Sequence, residues 1–356
     1  MNPEENTNIT PSAENFPFPR EWIQSNPKKV EGILSRMSLP DQVRCIQLLR
    51  GRDQQSLLQL SHQAAKVVQL LPEEDIYFMV KEIGEEDALP VLSIISTPQL
   101  QYIFDMEWWR GDKFLPDKAV DWLRWMQKAN MEQLVYWVLT EDLDQKIMVL
   151  QSLVKVFKRD EMTDSYEGVE GLLHFSPDGV YDIYFKVADI EPVLKDVFQR
   201  LYADHQKMFY TLMEGAIWYP VTPTLEQAYR WWSSRVEARG YLPLEEAQGV
   251  YSLLSVDALK LDAPAPDAFI EPQSPYAVAP THPLVDTDPS TFFGQCLAMM
   301  KNPERVNAIC WELMYLANKV MVADGQDGTN MDTRHEVMRK VLGYVNIGLE
   351  LGAGGD

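Results

Sequence analysis

Residues 71–89 read LPEEDIYFMVKEIGEEDAL, a stretch in which acidic clusters flank a run of apolar residues. The apolar residues recur every three or four positions, which is the spacing of one face of an amphipathic helix. The predicted face consists of Ile76, Met79, Val80 and Ile83. The stretch therefore predicts a short helix that begins and ends at acidic residues.

Both acidic clusters suit the beginnings of helices. Pro72 fits the first helical position, where its missing N–H needs no partner. Residues 73–75 then fall in the first turn, beside the positive end of the helix dipole. Pro90 is tolerated only in a first turn, which places the next helix start near Asp87, with Asp87 as N-cap. Ligand or catalytic carboxylates are the alternative interpretation of these acids.

Similar start signals recur through residues 20–158. Each combines a polar residue with proline or an acid, and helical apolar spacing follows it. The signals are SLPDQ (38–42), LPEED (71–75), GEED (84–87), STPQ (96–99), LPDK (115–118), ANMEQ (129–133) and TEDLD (140–144). Such a succession predicts a mainly α fold, an irregular α-solenoid or superhelical array of short helices.

Residues 159–187 break the helical spacing. The segment LLHFSPDGVYDIYF (172–185) places Asp178 and Gly179 between aromatic and β-branched residues. The Asp-Gly pair is typical of the type I′ turn of a β-hairpin. We predict a small β-hairpin insertion here, with the only strands of the chain.

Composition sets the remaining boundaries. Residues 1–19 are polar and contain proline, which predicts a flexible tail. Residues 188–256 return to helical spacing as a second helical group. Seven prolines in residues 257–290 predict an extended linker or strap without helix. Residues 291–356 form a C-terminal helical segment.

Charge and cysteine content narrow the class of protein. The formal charge of −21 opposes broad nucleic-acid binding and docking on anionic lipid, because both need a basic face. Three widely spaced cysteines form no zinc or disulfide pattern and suit a reducing cytoplasm. The sequence has neither a signal peptide nor an apolar run of transmembrane length. We therefore expect a cytoplasmic protein without direct membrane insertion.

The loop ADGQDGTNMD (323–332) is the candidate metal site. Asp324, Asp327, Asn330 and Asp332 offer hard oxygen ligands with glycines between them, which suits Mg²⁺ or Ca²⁺. Their spacing does not match an EF-hand, and an Asp/Gly turn between two helices is the alternative interpretation. The sequence predicts no other cofactor.

The segment MEWWRGDKF (106–114) is the candidate partner-binding site. It places Trp108, Trp109 and Arg110 in a loop after a helix. Exposed aromatic residues beside an arginine mark many protein interfaces. The alternative is that the tryptophans fill the gap between successive helices.

Several long blocks resemble an uncharacterised bacterial family that carries only a domain-of-unknown-function label. The blocks are the segment from LPEED to WLRWM (71–126), DGVYDIYF, AYRWWSSRVEARGYLPLEEA and ELMYLANKVMVADG, and the resemblance extends over about residues 28–350. It implies no established activity, ligand or catalytic residue. Such proteins run beyond the equivalent of Asp356, and a truncated chain would leave a helix face uncovered at its end.

Residues 30–157 are also similar, in their rhythm of short helices with LPxED-type starts, to the N domain of MgtE-type magnesium transporters. That similarity implies a right-handed helical superhelix in which acids help to sense Mg²⁺. The matching acids are Glu73, Glu74, Asp75, Glu85, Glu86 and Asp87. It bears on the fold much more than on the metal.

The sequence contains no P-loop, dinucleotide-binding glycine motif, nucleophile elbow or paired-histidine zinc motif. The leading prediction is a non-catalytic interaction or regulatory scaffold that presents a helical surface to a protein partner. A regulator that responds to Mg²⁺ or Ca²⁺ is the first alternative. The second is an enzyme of unknown class, with a pocket lined by residues such as Glu226, Arg230, Arg235 and His205.

Overall fold

The computed structural model describes residues 16–140, 142–160, 166–253, 279–280 and 282–353. These residues are mainly α-helical, which confirms the predicted fold class. In none of the described segments is a helix long and apolar enough to cross a membrane.

Residue contacts divide the chain into two compact units. Unit 1 comprises Met1–Gly84 and Val236–Asp356, and unit 2 comprises Glu85–Arg235. The boundary after Gly84 lies inside residues 20–158, which the sequence predicted as one continuous helical array. Contacts between residues define the units, and the helix start signals do not indicate them.

Unit 1 begins with a succession of short helices. They are α1 (Trp22–Ser25), α2 (Pro27–Leu34), α3 (Leu39–Gln47), α4 (Gly51–Gln59), α5 (Ala64–Leu70) and α6 (Glu73–Ile83). Unit 2 continues with helices and small strands. They are α7 (Leu89–Leu92), α8 (Thr97–Glu107), β1 (Trp109–Arg110), β2 (Lys113–Phe114), α9 (Pro116–Val138), α10 (Leu143–Leu153), β3 (Val154–Lys158), β4 (Leu173–Phe175), β5 (Tyr181–Phe185), α11 (Glu191–Asp204), α12 (Gln206–Trp218) and α13 (Val221–Glu237).

The chain then returns to unit 1 with longer helices near its end. These are α14 (Leu244–Gln248), α15 (His282–Asp286), α16 (Phe292–Met299), α17 (Pro303–Ala323) and α18 (Met331–Gly352). The helix α15 lies in the proline-rich region, so the prediction of no helix there is wrong at this point. Pro283 is tolerated because it occupies the first turn. Most of the predicted strap, and residues 1–15 of the predicted tail, lie outside the described residues, whereas Phe18 is buried.

Most predicted start signals coincide with helix caps. Ser38 accepts a hydrogen bond from the amide of Asp41, and Ser96 forms a capping box with Gln99. The signal at 129–133 coincides with a kink in α9, where Asn130 leaves the helical conformation and its Oδ1 accepts from the amide of Gln133. Side-chain oxygens here satisfy amides that the first turn of a helix leaves without partners.

The opening stretch forms α6 as predicted. Its apolar face is buried, and the acids at 73–75 occupy the first turn after Pro72, which is the N-cap. The next helix differs from its prediction, because α7 begins at Leu89 with Ala88 as N-cap. Pro90 still lies in the first turn, and Asp87 lies in the turn before the helix.

The small sheet of unit 2 contains the predicted hairpin. Strands β4 and β5 pair antiparallel, but residues 176–180 connect them and only Gly179 of the Asp178-Gly179 pair has a positive φ, so the connection is not the predicted type I′ turn. Strand β3 pairs with the other edge of β5, giving the order β3–β5–β4. The helical array predicted to continue to residue 158 therefore ends at Leu153, because residues 154–158 pair with β5 as strand β3.

A second pair of strands was not predicted. Strands β1 and β2 form a two-residue ladder in which Trp109 lies opposite Phe114. Gly111 has a φ of 60° in the connecting turn. The expectation of a single hairpin is therefore wrong. Trp108 is the C-cap of α8, and Trp109 begins β1.

Candidate functional site

The second half of α18 carries a row of exposed apolar side chains. Tyr344, Ile347 and Leu351 are 55%, 53% and 64% exposed and are spaced i, i+3 and i+7, so they lie on one helix face. Residues 341–353 contain a single charged side chain, Glu350. A helix face exposed to water normally carries charged or polar residues, so this one has the composition of a contact surface.

Helix α16 meets a different face of this helix segment. The amide of Phe293 donates to Oδ1 of Asn346 over 2.9 Å, and Asn346 points away from the exposed row. We call Tyr344, Ile347 and Leu351 the C-terminal apolar surface.

The first half of α18 explains why the second half is held in place. Val337, Met338, Val341 and Leu342 are buried in unit 1, where α18 packs on α17. Arg334 donates to the carbonyl of Gly328 and to the hydroxyl of Tyr241, and its guanidinium lies 4.5 Å from the ring centre of Phe78. One half of the helix is thus fixed by packing while the other presents its face to solvent.

Acidic side chains of the candidate metal loop already accept hydrogen bonds from other groups of the protein. Asp324 accepts from the hydroxyl of Tyr251 at 2.7 Å and from Nζ of Lys340 at 2.7 Å. Burial raises the pKa of Asp324, but these two donors outweigh it and lower the pKa overall. The carboxylate is therefore ionised and already has two donors.

The other loop residues shape the turn and the start of α18. Asp327 accepts from the amide and hydroxyl of Thr329, and Asn330 caps α18 through the amide of Thr333. Asp332 lies in the first turn of α18. Within the described residues, no group of three or more His, Cys, Asp or Glu side chains is arranged to hold a metal ion.

The candidate partner-binding tryptophans are interior residues of unit 2. Trp108 is fully buried and stacks on Phe104 at 3.9 Å, and Trp109 stacks on Trp232 at 5.3 Å. The exposed aromatic patch expected around them is therefore absent, and the two indoles fill space between elements as in the alternative interpretation. Arg110 alone of the three is exposed.

Two of the acids in the opening stretch are buried rather than exposed. Glu74 accepts a hydrogen bond from Nδ2 of Asn318, and Asp75 accepts one from Nε2 of Gln47 at 2.8 Å. Burial raises the pKa of Glu74, and the charges of Arg239 and Arg334 act against that rise. Burial likewise raises the pKa of Asp75 to about 7. These carboxyls are parts of the core of unit 1.

In unit 2 the buried carboxylate of Asp105 is paired with Arg235. The guanidinium binds it at two points, with Nε and Nη2 at 2.7 and 2.8 Å, and Nη1 reaches Asp142 at 2.9 Å. Burial would lower the pKa of Arg235, but its two carboxylate partners raise it overall. Arg235 is thus a structural ion-pair partner, and Glu226, Arg230 and His205 are exposed rather than gathered around it.

A groove of about 260 Å³ lies along α9 in unit 2. Trp122 and Glu107 are buried in it, and charged side chains of both signs line it. The lining residues are Glu85, Glu107, Lys118, Asp121, Trp122, Arg124, Trp125 and Lys128. Three acids face three bases, so the groove has no net charge with which to select an ion.

The fold and these surfaces define a mainly α-helical protein with a small antiparallel sheet and an exposed apolar helix end. The chain belongs to a family of unknown function, DUF6178, whose model matches residues 31–356. The resemblance to an uncharacterised family is thereby confirmed. No curated protein and no solved structure matches the chain. The similarity of residues 30–157 to the MgtE N domain is not shown.

Proposed function

We propose that this protein is a non-catalytic cytoplasmic scaffold whose C-terminal apolar surface binds an amphipathic helix of a partner protein. The observation that carries the proposal is the exposed row Tyr344, Ile347 and Leu351 in a helix segment with one charged residue. A row spaced i, i+3 and i+7 is the pattern with which helices meet helices. Covering each aliphatic side chain would contribute about 1.5–3 kcal/mol if its burial were complete.

The charge of the chain favours a basic partner. With a formal charge of −21, two copies of this chain repel each other, whereas a helix flanked by lysine or arginine is attracted. A heterologous partner with basic residues around an apolar stripe therefore fits better than a second copy.

The cytoplasmic location is part of the same proposal. Cys45 and Cys310 are buried free thiols of unit 1. Burial raises the pKa of each to about 12, so both remain protonated and unreactive. Sparse free cysteines are usual in a reducing compartment.

The test compares two double variants at aliphatic residues of matched exposure. Ile347→Ser/Leu351→Ser removes the aliphatic row, and Val221→Ser/Leu244→Ser changes two aliphatic residues elsewhere that are 64% and 53% exposed. A partner found by crosslinking in cells is purified, and its Kd for each full-length variant is measured by calorimetry. We expect the first variant to bind at least tenfold more weakly, since loss of about 1.4 kcal/mol has that effect, and the control to stay within twofold.

Two results would overturn the proposal. One is an equal loss of affinity in both double variants, which would show no role for the row. The other is a concentration-dependent dimer of the wild type, measured by light scattering, that the Ile347→Ser/Leu351→Ser variant abolishes. That outcome would assign the surface to pairing of two copies.

A further inference from the structure

The small sheet of unit 2 has one buried and one outward face. In β5, Tyr181, Ile183 and Phe185 are 3% exposed or less, so these alternate residues point into the unit. Asp182 and Tyr184, between them, belong to the outward face. The neighbouring strands contribute Lys155 and Phe157 from β3 and His174 from β4, by the pairing register.

Tyr184 is the centre of an aromatic platform on this face. It lies opposite Lys155 on one side and opposite His174 on the other. The His174 ring centre is 4.9 Å away, that of Phe157 is 5.9 Å away, and that of Tyr166 is 6.2 Å away. Phe157 and Tyr166 stack on each other at 4.3 Å and stand nearly perpendicular to Tyr184, so Tyr184 and His174 are the rings on which another planar ring can stack.

A buried carboxylate orients two nitrogen donors beside the platform. Asp182 binds Arg159 through Nε at 3.2 Å and Nη2 at 2.6 Å, and it binds Nε2 of His174 at 2.9 Å. The Asp182 side chain is 7% exposed, whereas those of Arg159 and His174 are 49% and 41% exposed. These contacts use one edge of each cationic or imidazole group, so Nη1 of Arg159 and Nδ1 of His174 are not used by Asp182.

The local charge is opposite to that of the whole chain. Burial would raise the pKa of Asp182, but the hydrogen bonds from Arg159 and His174 lower it overall, so the carboxylate is ionised. Glu170 adds a second negative charge that interacts with Lys155. Three cations stand against these two carboxylates, namely Arg159, Lys186 and Lys155, whose Nζ donates to the carbonyl of Gly168 at 2.9 Å. A small anion would find net positive charge here on a protein with a formal charge of −21.

We propose that the outward face of this sheet binds a small molecule that joins a planar aromatic ring to a phosphate group, such as a nucleoside monophosphate. The ring stacks on Tyr184, and the phosphate accepts hydrogen bonds from Arg159 and Lys155. Guanidinium and phosphate pair well because both geometry and charge match. The size of the patch and the acidity of the chain favour a mononucleotide over a long nucleic acid.

Calorimetric titration of the full chain tests this proposal with four probes. They are AMP, phenyl phosphate, adenosine and inorganic phosphate, each at matched ionic strength. We expect saturable binding of AMP, and weaker binding of adenosine and of inorganic phosphate, since each lacks half of the recognised chemistry. Equal affinity for AMP and phenyl phosphate would identify a general aromatic phosphate, whereas tighter binding of AMP would identify a nucleotide.

Matched variants distinguish a loss of AMP binding at this site from a general loss of folding. Lys155→Gln and Lys158→Gln remove the same charge from one strand, but Lys158 lies on the opposite face, where it pairs with Glu214 at 2.7 Å. We expect Lys155→Gln and Tyr184→Leu each to weaken AMP binding about tenfold, a loss of ~1.4 kcal/mol. Lys158→Gln should change it less than twofold. Thermal unfolding of each variant checks that it folds.

The proposal fails if neither AMP nor phenyl phosphate gives saturable heat at millimolar concentration. It fails equally if inorganic phosphate binds as tightly as AMP and Tyr184→Leu has no effect, since the rings would then play no part. Loss of AMP binding in Lys158→Gln as large as in Lys155→Gln would also overturn it.

Discussion

Asp75 in unit 1 and Asp105 in unit 2 are both buried aspartates on helices, yet their environments differ. Asp75 has the neutral amide of Gln47 as partner, while Asp105 has the guanidinium of Arg235. An amide leaves the cost of burying a charge largely uncompensated, and this raises the pKa of Asp75 to about 7. Burial raises the pKa of Asp105 as well, but the two-point guanidinium contact of Arg235 acts against that rise. The same residue type is therefore held by a neutral donor in one unit and by a charged donor in the other.

The largest effect should follow from breaking the ion pair of unit 2. Arg235→Met leaves Asp105 and Asp142 without their shared partner, and removal of one member of a buried pair costs about 3–5 kcal/mol. Urea unfolding followed by circular dichroism measures the change. Arg230→Met, exposed on the same helix, is the control and should stay within about 0.5 kcal/mol. Equal losses in the two variants would contradict the comparison.

The stability of the protein as a function of pH tests the environment of Asp75. Its folded pKa of about 7 lies above its ordinary value of 3.8, so the folded protein binds more protons than the unfolded chain between these limits. Stability should therefore fall as pH rises from about 4 to about 7, on the order of 2–4 kcal/mol. We expect Asp75→Asn to flatten this slope in Tm measurements and to be the more stable protein at pH 8. Asp53→Asn, an exposed change in α4, should keep the wild-type slope.

Lys146 gives unit 2 a pH dependence of the opposite sign. Burial lowers its pKa to about 8, although Asp142 acts against the shift. The folded protein then holds fewer protons than the unfolded chain between about pH 8 and pH 10, so stability should rise across that range, on the order of 1–3 kcal/mol. Lys146→Met should remove this rise in stability. Retention of the full rise in the variant would show that another group titrates.

The smallest effect is expected at the acidic loop. Because Asp324 and Asp327 already accept hydrogen bonds within the protein, 5 mM Ca²⁺ or Mg²⁺ at matched ionic strength should shift the Tm by less than about 1 °C. A bound cation at about a hundred times its Kd would add roughly 2.7 kcal/mol and a shift of several degrees. A saturable shift that Asp324→Asn abolishes would restore the cation site as the leading hypothesis.

Local signals in the sequence predicted much of the fold. Ser38, Ser96 and Asn130 cap helices where their signals occur, because capping depends on a few adjacent residues. The Asp178-Gly179 pair indicated the hairpin in the same way, but not the type of its turn. Strand β3 was not predicted, because residues 154–158 directly follow helix α10. Only their pairing with β5 distinguishes this strand from a continuation of the helix.

The candidate sites were much less predictable. Trp108 and Trp109 look like interface residues in the sequence, but stacking on Phe104 and Trp232 buries them. The exposed row on α18 has a signal that could have identified it, namely a single charge in residues 341–353. The platform around Tyr184 combines residues from three strands and from the segment before β4, so no contiguous motif indicates it.

The sequence by itself determined the helical class, the caps, the hairpin and the placement of acids at helix starts. These features depend on backbone preferences and on neighbours within about four residues along the chain. Only the tertiary structure decided which charges are buried and which apolar residues stay exposed. Asp75 and Asp105 carry the same side chain, and a partner distant in sequence gives each its environment, Gln47 in one case and Arg235 in the other. Burial and pairing depend on contacts between distant segments, and such contacts form only when the chain folds.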